Sequence, residues 1–271
     1  MAPDTLKVSI IVPTLNEALI IEESLNAIAL LNPHEIIVAD GGSSDVTVSL
    51  AQNVATRVVR SGAGRAHQMN AGAKEASGDL LLFMHADSKL TPESFNKMTA
   101  KMKNHRHIGG AFSLHIESEK ISLRLISTLA VWRSKYLNLA YGDQTIFVRT
   151  AIFEELGGFS SLPICEDLEF YRRLSRKNKV ILLNDRTHTS ARRWKTEGIL
   201  FTTLRNFAIA TLFLFGFPPP PIFFRFPTRK NIFSHRFCKL VGNGRKTYFL
   251  VGKSGCAKGI HSKFPTNFPT I

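Results

Sequence analysis

The sequence predicts an α/β fold with a mostly parallel central sheet flanked by helices. Three observations carry that expectation. Strand-like and helix-like segments alternate through the first 90 residues, the arrangement that builds parallel sheets through crossover helices. The strand-like segments are short, nearly continuous apolar runs, as strands covered on both faces require. Several of them stop on an acid or a glycine-rich loop, the composition of a ligand-binding sheet edge.

The elements follow in order. Val8-Ser9-Ile10-Ile11-Val12 reads as a strand that stops at Pro13. Ile20, Ile21, Leu25, Ile28 and Leu31 fall at helical spacing. Glu35 to Ala39 is a second buried strand, and Asp45 is placed to cap a helix running to Asn53. Arg57 to Arg60 is a short third strand, and Gly64 to Ala76 reads as helix. A Gly78-Asp79 turn leads into the fourth strand, Leu80 to Met84, and Thr91-Pro92-Glu93 opens another helix. Gly110 to Ile116 alternates as an antiparallel strand does, and Ile121 to Tyr136 has helical spacing. Gln144 to Arg149 is a strand, followed by a short helix and a Gly157-Gly158 break. Asp167 to Arg176 is a charged helix, and Val180 to Leu183 is the last strand. Ile199 to Phe217 is strongly apolar, but Arg205 and Asn206 interrupt it. Its unbroken part is too short to cross a bilayer, so it is expected to pack on the domain, with a membrane interface as the other place for it.

Composition narrows the class. Cys165, Cys238 and Cys256 are scattered and odd in number, which implies neither a zinc site nor a disulfide framework. Met1-Ala2-Pro3-Asp4 shows no basic stretch followed by an apolar one, so a signal peptide is not expected and a cytoplasmic setting is. The formal charge of +14 is unevenly spread. From Pro218 onward there are ten Lys/Arg and no Asp/Glu, leaving 25 basic against 21 acidic residues before it. The expected division is therefore a domain over 1–217 and a basic tail over 218–271. The tail follows Pro218-Pro219-Pro220-Pro221, shows no strand or helix pattern, and is expected to be a disordered basic arm or a shifted reading frame. A basic tail can meet anionic lipid; no specific nucleic acid is expected.

Chemistry concentrates at the strand ends. The fourth apolar run stops on His85-Ala86-Asp87. A carboxylate at that edge can hold a hard divalent cation, which can hold a diphosphate, or it can cap the helix that follows. The first strand opens into Pro13-Thr14-Leu15-Asn16-Glu17 and the second into Asp40-Gly41-Gly42-Ser43-Ser44-Asp45. Both loops would open beside Asp87. Asp40 can accept hydrogen bonds from a base or ribose, and Gly41 and Gly42 let backbone approach a ligand closely.

With these loops the chain resembles family 2 glycosyltransferases of the GT-A type. The matching pieces are IIVPTLNE (10–17), VADGGSSD (38–45), GRAHQMNAG (64–72), GDLLLFMHAD (78–87), YGDQTIFVR (141–149), GGF (157–159), CEDLEFYRRL (165–174) and ARRW (191–194), in the family's order. The set resembles most a small subfamily labelled for arsenosugar biosynthesis, a label that names no substrate. The resemblance implies a GT-A fold with a Rossmann-like nucleotide-binding half. It also implies metal-assisted inverting transfer from a nucleotide-sugar donor, UDP-linked in most members, to an acceptor hydroxyl that the sequence leaves open.

Carried over by residue, Pro13, Glu17, Asp40 and Gly41 would cradle the nucleoside, with Asp40 towards the base. Arg65 and Asn70 would lie by the donor. Asp87 would bind Mg2+ or Mn2+; His85 stands where the family's Asp-x-Asp pattern has its first Asp. Asp167, with Glu166 beside it, would supply the general base that takes the acceptor's proton, and Asp143 would contact the acceptor or orient the base. Arg193 would stabilise the leaving diphosphate and Trp194 would stack on a sugar. Ser190 stands where processive members have Gln, so polymer synthesis is not expected. A nucleotidyltransferase is the rival enzyme, but it calls for a glycine-rich first loop with nearby Arg and Lys, whereas the loop here is Pro-Thr-Leu-Asn-Glu. A non-enzymatic nucleotide-sugar-binding or membrane-surface protein, with peripheral membrane contact, is the other alternative.

Overall fold

The computed structural model describes residues 6–215 except 119, 138 and 191, together with the backbone of 238–242 and 245–249; the side chains of 117, 137, 190, 192, 193 and 195 are outside that description. The first half runs β1 (Val8–Thr14), α1 (Ile21–Ala29), β2 (Glu35–Asp40), α2 (Thr47–Gln52), β3 (Arg57–Arg60), α3 (Arg65–Lys74), β4 (Leu80–Phe83), β5 (Ser88–Lys89) and α4 (Pro92–Met102). The second runs β6 (Gly109–Glu117), α5 (Ile121–Leu137), β7 (Ile146–Arg149), α6 (Thr150–Glu155), α7 (Glu166–Lys177), β8 (Val180–Ser190), α8 (Arg192–Glu197) and α9 (Ile199–Leu214).

One eight-stranded sheet has the order β3-β2-β1-β4-β7-β6-β8-β5. The β3-β2-β1-β4 half is parallel. Beyond it β7 lies antiparallel to both β4 and β6, β8 is parallel to β6, and β5 is antiparallel to β8. β1, β2 and β4 bury every residue they contain, and their apolar side chains feed two cores, one on each face of the sheet.

Most of the expected elements form within a residue or two. Thr91 caps α4, its hydroxyl accepting from the Ser94 N–H, with Pro92 at the first helical position. Asp45 does not cap its helix as expected: α2 begins at Thr47, and the Asp45 carboxylate instead accepts from the Thr47 N–H and hydroxyl. The strand expected to end at Leu183 continues to Ser190, past a register shift opposite Phe112/Ser113.

The outer helices leave much apolar surface exposed. In α5 the apolar set Ile121, Leu125, Leu129, Trp132 and Tyr136 is exposed, while the inward face carries Leu123, Ser127, Ala130 and Ser134. α9, expected to pack on the domain, does so in its second half, where Ile209 is buried and Ala210, Phe213 and Leu214 pack against its cluster; in its first half Thr202 and Arg205 turn inward and Leu200, Phe201, Leu204 and Phe207 are exposed. No helix among the described residues is long and apolar enough to cross a membrane.

The chain divides into two units, Met1–Phe224 and Arg225–Ile271. Within the second, β9 (Cys238–Gly242) and β10 (Arg245–Phe249) pair antiparallel, so the tail carries a hairpin where no strand was expected. Residues 216–237, 243–244 and 250–271 lie outside the described residues.

Candidate active site

The parallel half of the sheet brings Thr14 and Asp40 opposite each other at the ends of β1 and β2. Asp40 is buried, and its carboxylate folds its own loop: Oδ2 accepts from the N–H of Gly42 at 3.0 Å and of Ser43 at 2.9 Å, and Oδ1 accepts from the Ser43 hydroxyl. The two loops are clasped together. The Asn16 N–H donates to Ser43 Oγ at 2.9 Å, Asn16 Oδ1 accepts from the Ser44 N–H at 2.8 Å, and the Glu17 N–H donates to Thr47 Oγ1 at 2.8 Å. Asn16 closes this clasp in the left-handed region, at φ 54°. Burial pushes the Asp45 carboxyl up, but hydrogen bonds from the Thr47 hydroxyl and the Thr47 and Ala18 N–H groups outweigh it and hold it below the ordinary range.

Gln68, which the sequence reading passed over, sits beneath this clasp. It is buried in α3, and its Nε2 donates to Thr14 O at 2.6 Å and Ala39 O at 3.0 Å. A Cβ on Gly41 would come 3.0 Å from the Gln68 amide, so the missing side chain makes room for this contact. The sequence signals the packing of this helix and not the amide's partners. Gln68 lies one turn before Gly72, whose missing side chain lets α3 settle against Ile11.

Asn70 has a similar part on the other side of α3. Its amide accepts from the Phe159 N–H at 2.9 Å and donates to Phe159 O at 2.8 Å. That grip positions the Gly157-Gly158-Phe159 loop, in which both glycines have positive φ. Asn70 thus reaches the site through Phe159 and not by its own amide.

The acidic pair opens α7. Glu166 is 3% exposed and Asp167 half-buried. Asp167 Oδ2 accepts from the Gly142 N–H at 2.5 Å, and Oδ1 accepts from the Leu168 N–H at 2.7 Å. Arg65, at the start of α3, places its guanidinium 3.7 Å from Glu166 Oε1. Burial and the neighbouring Asp167 charge push the Glu166 carboxyl up to about 7, with Arg65 opposing them.

Gly142 is the meeting point. A Cβ there would stand 2.7 Å from His85 Nε2 and 3.0 Å from Asp167 Oδ2, so the β4 edge and α7 converge on one glycine. Pro13, Met69, Phe83, Met84, His85, Gly142, Ile146, Phe159 and Asp167 line a pocket at this point.

The turn bearing Gly142 and Asp143 is held from behind. Gln144 is fully buried; its Oε1 accepts from Ser134 Oγ at 2.8 Å and Arg133 Nη2 at 3.2 Å, and its Nε2 donates to Phe112 O at 3.1 Å. The Arg133 guanidinium lies 3.7 Å above the Tyr141 ring. Burial pushes the Tyr141 hydroxyl up to about 12, Arg133 opposing it.

Asp87 and His85 occupy the turn between β4 and β5, both half-buried. Among the described residues no three His, Cys, Asp or Glu side chains gather to form a metal cage. A single carboxylate at a sheet edge fits a Mg2+ or Mn2+ that completes its shell with substrate phosphates and water. Trp194, expected to face a sugar, is packed in a cluster with Leu114, Ile116, Leu123 and Ala130. Arg193 lies in α8, but its side chain is outside the described residues.

Comparison with known proteins identifies the family. Residues 9–156 match the family model described as Glycosyl transferase family 2, a span that holds Pro13, Asp40, Asp87 and Asp143 and stops short of Glu166-Asp167. The probable glycosyltransferase YdaM of Bacillus subtilis is 28% identical over 198 residues, covering 62% of this chain and 46% of YdaM. A dolichol-phosphate mannosyltransferase of Pyrococcus furiosus is 38% identical over 109 residues, 36% of this chain and 31% of that enzyme. The chain thus spans less than half the length of these curated relatives. Among solved structures, the mannosyltransferase PcManGT of Pyrobaculum calidifontis, in complex with GDP-Man and Mn2+, superposes with a TM-score of 0.56 at 21% identity, covering 69% of this chain and 57% of that one. TarS 1–349 of S. aureus, in complex with UDP-GlcNAc, gives 0.54 at 22% identity over 68% and 58%. These likenesses establish the GT-A fold that the motifs led us to expect.

Proposed function

Because the chain belongs to glycosyl transferase family 2, we propose that it moves a hexose or related sugar from a UDP-linked donor to an acceptor hydroxyl, with inversion at the anomeric carbon. The observation that carries this reading is the Asp167 carboxylate. It lines one pocket with Pro13 and His85, is held by the Gly142 N–H, and is backed by a buried acid and Arg65.

In this reading the nucleoside lies along Pro13, Glu17, Asp40 and Gly41. A carboxylate oxygen has two acceptor sites, so Asp40 Oδ1, bonded once by Ser43, keeps capacity for an N–H of the base. Asp167 takes the acceptor proton while the acceptor oxygen attacks the anomeric carbon, and the bond to the nucleoside diphosphate breaks with its electron pair going to the phosphate oxygen. Two adjacent carboxylates resist ionising together. Burial and the neighbouring Asp167 charge push the Glu166 carboxyl up to about 7, and Asp167 is the member of the pair that lines the pocket. Asp143, next to Gly142, faces the acceptor side. Asp87, with His85 beside it, would hold a divalent cation, which supplies stabilisation of charge on the departing diphosphate when bound. Within the family, the motif order favours the subfamily labelled for arsenosugar biosynthesis.

Calorimetric titration of UDP, GDP and dTDP, with and without Mn2+, into the protein and into Asp87→Asn tests the reading. Manganese-dependent binding of UDP that Asp87→Asn abolishes is expected. Failure of a folded protein to bind any of the three overturns it.

A further inference from the structure

The helices α5 and α9 carry many of their large apolar residues outward. On α5 the exposed residues Ile121, Leu125, Leu129, Trp132 and Tyr136 recur at i, i+4, i+8, i+11 and i+15, one continuous stripe. On α9, Leu200, Phe201, Leu204 and Phe207 are exposed, with Phe215 just beyond the helix. Both helices pack on the same small cluster, through Ile126 of α5 and Ile199 of α9. Their inward faces mix a few apolar residues (Leu123, Ala130, Ile209) with polar ones. Ser127 bonds to Leu123 O and the Ile116 N–H, Ser134 bonds to Ala130 O and Gln144, and Arg205 pairs with Glu197. A helix so arranged has satisfied its polar groups against the protein and left its hydrophobic area for something outside.

The charges around this face point to its occupant. Neither helix contains an Asp or Glu. Lys120, Arg124 and Lys135 are exposed, each one position before a stripe residue, about 100° round the helix along one edge of the stripe. Trp132 and Tyr136 sit with ring centroids 5.5 Å apart, an aromatic pair with polar tips of the kind that settles at a lipid headgroup boundary. At 17 and 16 residues the helices are too short to span a bilayer and long enough to lie in its surface. A second copy would bring the same basic edge against this one. The chain's own residues 218–271, with ten Lys/Arg and no acid, would do likewise.

We propose that the α5/α9 face is a membrane seat: it lies in the interface of an anionic lipid bilayer, its apolar stripes among the upper acyl carbons and its basic edge on the headgroups. The seat does not depend on the transfer chemistry, and it is tested without donor. The chain has two tryptophans, of which Trp132 is 55% exposed and Trp194 is 9% exposed, so tryptophan fluorescence reports on the seat directly.

Full-length protein is mixed with vesicles of phosphatidylcholine and phosphatidylglycerol whose phosphatidylcholine carries brominated acyl chains, in 0.1 M and 0.5 M salt. We expect a blue shift and quenching at both salt concentrations, most of it lost in Trp132→Phe. Leu125→Glu/Leu129→Glu should lower partition on the order of tenfold or more with an unchanged circular dichroism spectrum. Leu204→Glu on α9 should act in the same direction.

Three results overturn the seat. The first is sedimentation with vesicles that 0.5 M salt abolishes and that brings no Trp132 quenching, which is adsorption by charge alone. The second is absence of vesicle binding, whether or not light scattering shows a doubled mass that Leu125→Glu/Leu129→Glu restores to one chain, the doubled mass marking a second copy as the occupant. The third is a Trp132 emission already blue-shifted without vesicles and unchanged by them, which marks a face covered by the chain itself.

Discussion

Gly142→Ala separates the chemistry of this site from its stability. The new Cβ would lie 2.7 Å from His85 Nε2 and 3.0 Å from Asp167 Oδ2, closer than a carbon tolerates. Both neighbours are side-chain ends that can rotate away, so the fold yields at the low end of the about 1–3 kcal/mol that overpacking costs. At about 2–4 °C per kcal/mol for a chain of this size, the melting temperature falls by only a few degrees. The site yields more. Moving Asp167 breaks its 2.5 Å hydrogen bond with the Gly142 N–H, and a bond to a charged group is worth about 1.5–3 kcal/mol. Charged against the transition state, that is a loss between about tenfold and about a hundredfold in kcat. The nucleoside loops are untouched, so any rise in donor KM through His85 should be smaller than the loss in kcat.

The assay is the initial rate of UDP release from the nucleotide sugar, beside thermal melts of both proteins. Gly110→Ala is the contrast: its Cβ would fall 2.0 Å from the backbone carbonyl of Ile181, which cannot rotate, so it should destabilise far more. Wild-type kcat in Gly142→Ala, or a melting temperature lowered as far as in Gly110→Ala, refutes the reasoning.

Three further outcomes are expected. Glu166 has its pKa raised from 4.5 to about 7 in the fold, so the wild type loses stability at this group as pH rises from about 4.5 to about 7; the melting-temperature advantage of Glu166→Gln should therefore grow across that window, and a constant difference rules the shift out. Gln68→Ala strips a donor from two buried carbonyls and should cost about 1–3 kcal/mol by urea unfolding, with nucleotide affinity weakened as the β1 and β2 loops part. The Asp45 carboxyl is held low by its hydrogen bonds, so its contribution is present above its unfolded pKa and lost as pH falls through the folded one; the stability gap between wild type and Asp45→Ala should close in acid.

Much of this architecture was legible because burial leaves a direct mark on composition. Strands covered on both faces are apolar throughout, and the acids at Asp40 and Asp87 stand out where those runs end. β8 was read too short for the opposite reason. Its second half, Asn184 to Ser190, is held by polar pairing: buried Thr187 meets Thr145 at 3.0 Å, and no apolar pattern announces such a strand. Periodicity found α5 but not the direction its stripe faces, since spacing marks a face without saying whether core or solvent receives it. The acidic pair at 166–167 was legible from its motif. The amides of Gln68 and Asn70 were not: Gly72 marks the face on which α3 packs, but the partners of these amides are backbone atoms of loops far away in sequence, and a backbone acceptor has no signature in a side-chain pattern.

The strand order has a consequence for how the protein is made. β1 to β4 pair among themselves, so the nucleotide-side half can assemble once the ribosome has released residue 83 or so. The other half cannot join until β7 is out, because β7 alone bridges β4 to β6, and the carboxylate of Asp167 follows later still. At about 5–20 residues per second that interval is on the order of ten seconds. Through it the nascent chain displays the open edge of β4, a strand of Leu80-Leu81-Leu82-Phe83 with no partner on that side. That edge, and not the finished fold, is where a chaperone has most to protect.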